Sequence, residues 1–157
     1  MQCSSPHGMT ASDRHDHEPD WVSWSNEQLL DLPLRALGVT VEGAFLSAQI
    51  QQLYAELDAR QLMFRPHVWV STEWFTPDGV PGIAVPFYLA HPRLAKLELD
   101  QMLEVEGGTP DWCMRLLRHE AGHALENAYR LRRLRGRQAV FGRSSEPYPK
   151  YYSPRPY

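Results

Sequence analysis

His119, Glu120 and His123 spell H-E-x-x-H inside the stretch MRLLRHEAGHALENAYRLRR (114–133). On a helix, His123 sits about 40° round the axis from His119 and one turn along, so both imidazoles leave one face. That spacing lets two ring nitrogens reach a single ion at about 2.0–2.1 Å. Glu120 lies about 100° from His119 and about 60° from His123. It is too far round to be a natural third ligand, but it can reach a water held by that ion. The chemistry such a trio serves is hydrolysis, with an activated water and a carboxylate as general base. Chance alone places the pattern in roughly one chain in fifty of this length and composition, so the element that carries it must add support.

That element reads as a capped helix. Thr109 stands where an N-cap is needed, Pro110 suits the first turn, and Asp111 favours the positive end of the dipole. The pattern predicts a helix to about Arg135, stopped by Gly136. Trp112, Cys113, Leu116, Leu117, Ala124, Ala128 and Leu131 fall on one arc. Arg115, Arg118, Glu126, Arg132 and Arg133 fall on the other. The wheel puts Glu120 and His123 on the face expected to be buried. An ionisable glutamate there costs several kcal/mol unless it is paired or coordinated. Gly122, on the opposite side, weakens the helix by about 1 kcal/mol relative to alanine. The competing reading is a pair of core histidines bonded to their neighbours.

Other elements must position this helix. Residues 1–20 are rich in Ser, His, Asp and Pro and read as a disordered tail, in which His7, His15 and His17 are read as solvated, with loose metal binding as the alternative. Ser25 and Gln28 form a capping-box pattern ahead of Leu29, Leu30 and Leu32, with Pro33 and Gly38 keeping that helix short. Ala44–Arg60 has helical spacing through Phe45, Leu46, Ile50, Leu53, Tyr54 and Leu57. FRPHVWVSTEWF (64–75) is β-branched and aromatic and predicts a strand. TPDGVPG (76–82) is turn chemistry, and IAVPFYL (83–89) predicts a second strand, placed at a sheet edge by Pro86. The pair suggests a hairpin, with a crossover left open. The span from His91 to Glu106 fits a helix early and an alternating strand late, and Gly107-Gly108 ends it. RQAVFGRSSEPYPKYYSPRPY (137–157) has no period. The domain boundaries expected are a tail over 1–20, one catalytic domain over 21–137, and a Pro/Tyr-rich segment over 138–157.

Bulk properties narrow the function classes. The chain has 157 residues, 43% hydrophobic and 22% charged, with a net charge of −3. That balance gives no reason to expect nucleic acid or an anionic membrane as partner. No apolar run approaches the roughly 20 residues needed to span a bilayer. The start has no apolar signal-peptide core. Cys3 and Cys113 are far apart and suit a reducing compartment, so the expected location is the cytoplasm. Trp21, Trp24, Trp69, Trp74 and Trp112 read as core or half-core aromatics. The basic run RLRRLRGR (130–137) is read as a solvated helix end, with phosphate contact as its alternative. His67 and His91, each beside a proline, are structural or line a cleft.

LLRHEAGHALENAYRL resembles the active-site helix of zincin metallopeptidases. RPHVWVSTEWFTPDGVPGIAVPFYLAHPRL followed by QMLEVEGGTPDWCMRLLRHEAGHALENAYRL resembles a group of bacterial zinc-binding metallopeptidases, over a span from about Trp24 to the end. The resemblance implies a zincin-like α+β fold, with a small twisted sheet, an edge strand over a cleft, and the motif helix below it. It implies Zn2+ as cofactor, a peptide or protein as substrate, His119 and His123 as metal ligands, and Glu120 as general base. The family pattern also needs a third protein ligand, and here the chain departs from it. Glu126 faces away, at about 340° on the wheel. Glu146 sits in SSEPYPKYY, which cannot be helical. The third ligand stays open between Glu146, His91, another residue or a partner chain, and a residue beyond Tyr157 in a protein of which this chain is a C-terminally shortened form. A zinc protein without turnover is the alternative function. Tyr148, Tyr151 and Tyr152 are candidate oxyanion donors, and the strand from Ile83 to Leu89 is a candidate edge for an extended peptide.

Overall fold

The structure, a computed structural model, describes residues 18–143. The chain divides into two compact units, Met1–Gly38 and Val39–Tyr157. The division falls inside the single domain expected over 21–137.

In the first unit, a 3-10 turn (Asp20–Ser23) leads to α1 (Asn26–Leu30) and a second 3-10 turn (Leu34–Ala36). The capping box forms as its residue types dictate. Gln28 N donates to Ser25 Oγ at 3.3 Å and Ser25 N donates to Gln28 Oε1 at 2.9 Å. Trp21 is buried and its indole N–H donates to the Leu37 carbonyl at 3.0 Å, which satisfies the one polar atom of the ring.

The second unit begins with α2 (Ala44–Ala59), whose buried Leu46, Ile50 and Leu53 sit one turn apart. Gly43 precedes it, where a Cβ would stand 2.5 Å from the Ala90 carbonyl oxygen. Two strands follow, β1 (His67–Ser71) and β2 (Gly82–Pro86), then a 3-10 turn (Phe87–Ala90). Next come α3 (Pro92–Met102), α4 (Pro110–Tyr129), a 3-10 turn (Leu131–Arg133) and α5 (Arg135–Phe141). Helices dominate and the sheet is small, which is compatible with the α+β class. Among the described residues no helix is long and apolar enough to cross a membrane.

The hairpin is corrected: β1 and β2 are parallel, in register from His67↔Gly82 to Ser71↔Pro86. The connection, residues 72–81, crosses over and adds an antiparallel bridge, Phe75↔Ala84, on the far side of β2. Phe75 N donates to Ala84 O at 3.3 Å and Ala84 N donates to Phe75 O at 2.8 Å. The sheet has two strands, so β2 is an edge strand as expected, but all five of its residues are buried and its outer flank carries the bridge at Ala84. Backbone groups alternate sides along a strand, so Pro86 shares the flank of Ala84. Its missing N–H is not required by the ladder to β1. Trp69 and Phe75 both pair with Ala84 and share its face, where their rings meet edge to face at 6.4 Å. Val68, Val70, Ile83 and Val85 take the other face by the two-residue period.

The ambiguous span resolves as helix. His91 is the N-cap of α3, its Nδ1 accepting from Arg93 N at 3.1 Å, and α3 stops where Leu103 turns left-handed at φ 62°. Beyond it, Gly107 (φ 77°) is buried against Trp74, Leu116 and Leu89, and only a residue without Cβ fits both the backbone and the space. Both α2 and β2 pack on α4, so the motif helix is the centre of this unit.

Candidate metal and catalytic site

α4 starts as its sequence dictates: Thr109 Oγ1 accepts from Trp112 N at 3.4 Å and Pro110 fills the first turn. It ends earlier than expected. Arg130 turns left-handed (φ 51°) and α4 stops at Tyr129, while Gly136 lies within α5. Neither Gly nor Pro marks the break, so pattern reading had no signal for it.

The buried arc of α4 is centred on Leu117 and Ala124, both 0% exposed, with Cys113, Met114, Glu120 and Ala121 beside them. Glu120 is inward, at 8% exposure. His119 and His123 are exposed. The expectation that His123 shares the buried face is corrected, because the core centre lies about 100° or more from it on the wheel. Burial of the Cys113 thiol by this core pushes it up to about 12, which keeps it an inert thiol.

The two imidazoles converge. His119 Nε2 and His123 Nε2 stand 3.2 Å apart, with ring centroids 4.8 Å apart and planes at 81°. Two nitrogens at about 2.0–2.1 Å from one ion in tetrahedral geometry are about 3.3–3.4 Å apart. The pair therefore fits as two ligands of one zinc ion. The same spacing suits one shared proton between neutral rings. Among the described residues no His, Cys, Asp or Glu joins them to make a group of three. Glu126 is paired elsewhere, 2.6 Å from Arg137 Nε. His91 serves as a helix cap, and His67 stacks on Trp69 at 5.8 Å. Glu146, Tyr148, Tyr151 and Tyr152 lie outside the described residues, as do Cys3, His7, His15 and His17.

Comparison of the chain with family models, curated proteins and solved structures gives no match.

Two groups of residues that pattern reading missed hold the site in place. One is the crossover segment. Thr76 Oγ1 donates to the Glu120 carbonyl at 3.1 Å, and Asn127 Nδ2 donates to the Pro77 and Val80 carbonyls at 3.0 and 2.9 Å. Arg132 bonds both Asp78 and Asn127 Oδ1. The segment thus runs alongside α4 past Glu120 towards its C-terminal end. Because Phe75 gives both backbone groups to Ala84, those of Trp74 and Thr76 point the other way. Among the described residues none of them is paired. On the outer flank of β2 this segment covers Ala84, and its own Trp74 and Thr76 backbone groups are open; the expected strand from Ile83 to Leu89 ends at Pro86, where a 3-10 turn begins.

The other group is the Glu56–Arg118 pair. Arg118 Nε and Nη2 donate to Glu56 Oε2 and Oε1 at 2.8 and 2.7 Å, tying α2 to the residue before His119. The guanidinium holds the Glu56 carboxyl down at about 2. The Glu120 carboxylate is different: no described residue donates a hydrogen bond to it, and its oxygens are not among the fully enclosed unpartnered atoms, so they face accessible space.

Proposed function

We propose that this chain is a zinc-dependent metallopeptidase of zincin-like fold. The observation that carries the reading is the 3.2 Å convergence of His119 and His123 Nε2 beside a buried Glu120 with no donor among the described residues. His119 and His123 bind the metal through Nε2, which requires each ring to carry its proton on Nδ1. Zinc, when bound, supplies a water acidified towards a pKa of about 7 and a Lewis acid for the scissile carbonyl. Glu120 accepts the proton of the attacking water on a carboxylate oxygen and returns it to the leaving amine. Its oxygens are available for this because no neighbour among the described residues competes for them. The outward backbone groups of Trp74 and Thr76 hold an extended peptide by strand addition. Glu146 is the candidate third ligand on this chain.

Metal analysis of protein purified without added zinc tests the reading. About one zinc per chain is expected, lost in His119→Ala and His123→Ala, together with chelator-sensitive cleavage of a peptide. Wild-type protein without metal overturns it and leaves the shared proton as the account of the 3.2 Å contact. Zinc without cleavage selects the second reading, a non-catalytic zinc protein. That reading draws on the two ligands, rather than three, found among the described residues.

A further inference from the structure

A pocket of about 390 Å³ opens at the C-terminal end of α4, lined by Asp78, Gly79, Asn127, Arg130, Arg132 and Arg133. Three arginines against one aspartate leave it positive, in a chain whose net charge is −3. Arg132 is spoken for by Asp78 and Asn127. Arg130 and Arg133 are exposed, and among the described residues neither guanidinium has an ion-pair partner. Asn127, also in the lining, ties the Pro77–Val80 loop to α4 through two carbonyls.

The pocket is aligned with the histidine pair. His119, His123 and Asn127 are spaced four residues apart, which keeps them on one stripe of α4, and Arg130 caps the end of that helix. At 1.5 Å per residue, Arg130 lies about 10 Å along the axis from His123. Three residues of extended chain cover the same distance. The segment Trp74–Thr76, with the backbone groups of Trp74 and Thr76 unpaired among the described residues, leads into the loop that lines the pocket.

We propose that the pocket reads a carboxylate side chain of the peptide substrate, about three residues from the bond that is cut. This rests on the peptidase reading and names its substrate class. Arg130 and Arg133 are specificity residues that touch the substrate away from the reacting atoms. Two exposed guanidiniums converging on one carboxylate favour the acidic peptide by about fivefold to tenfold. The preference fades in molar salt, where the Debye length is about 3 Å.

The test uses zinc-loaded full-length protein and two sets of fluorogenic peptides. One set carries a single Glu stepped through positions on each side of the scissile bond, and the other carries Gln in its place. The expected result is a Glu-to-Gln ratio in kcat/KM of about five to ten at one position, falling to about one in Arg130→Gln/Arg133→Gln. A ratio near one at every position in the wild type overturns the inference, as does a preference that survives the double variant. Binding of the same peptides to Glu120→Gln protein, followed by fluorescence anisotropy, separates the two levels. Arginine-dependent Glu preference in binding without any cleavage by wild type sinks the peptidase reading and keeps the pocket. Cleavage without a Glu preference does the reverse.

Discussion

Replacing Gly122 with alanine should stabilise the chain. Gly122 lies in the interior of α4, directly before His123, and a Cβ built there meets no atom within 4 Å. The methyl therefore brings no steric cost, and the change is governed by the backbone. Glycine in a helix interior is about 0.8–1.0 kcal/mol less favourable than alanine, largely through the conformational freedom it retains when unfolded. In a domain of this size about 1 kcal/mol is a rise in Tm of about 2–4 °C. Thermal unfolding followed by circular dichroism reads it, with zinc content measured on the same samples. The expected outcome is that rise with an unchanged zinc stoichiometry. A fall in Tm of similar size would refute the reasoning, because it would mean that the space above Gly122 is filled in the full protein.

The Glu56–Arg118 pair should make stability depend on pH in a defined window. The Glu56 carboxyl is depressed from 4.5 to about 2, so its contribution is complete above 4.5 and disappears as pH falls through 2. Arg118 is about half exposed, and solvent screening cuts the contribution to about 1 kcal/mol. Urea unfolding of wild type and Glu56→Gln should differ by that amount at pH 7 and converge near pH 2. A difference that stays constant with pH contradicts the assignment. Leu103→Gly should stabilise by about 1 kcal/mol, because Leu103 is 87% exposed and sits left-handed at the end of α3. A loss of stability in chemical denaturation would show that its side chain is packed after all.

The parts of the molecule governed by short-range chemistry were legible in the sequence. Ser25 with Gln28, and Thr109 with Pro110, start helices where their side chains can satisfy orphan N–H groups. The four-residue spacing of His119 and His123 became a 3.2 Å convergence for the same local reason. What failed depended on distant partners. Parallel pairing of β1 with β2 is decided by where a ten-residue crossover (72–81) docks on α4, and no residue type in TPDGVPG announces that. The end of α4 at Arg130 is set by a 3-10 turn whose Arg132 reaches Asp78, a contact 54 residues away in the chain. The exposure of His123 is not legible on the wheel, which counts apolar residues but not which of them the sheet and α2 cover. The clamps at Thr76, Asn127 and Glu56–Arg118 are ordinary polar residues, visible only once the elements are assembled.

The most direct test of the central claim is peptide hydrolysis by Glu120→Gln at a zinc loading shown equal to wild type. A general base contributes about 10²–10⁴-fold, so the account predicts a loss of kcat of at least about 10² with metal retained. Unchanged kcat in the fully loaded variant would contradict it.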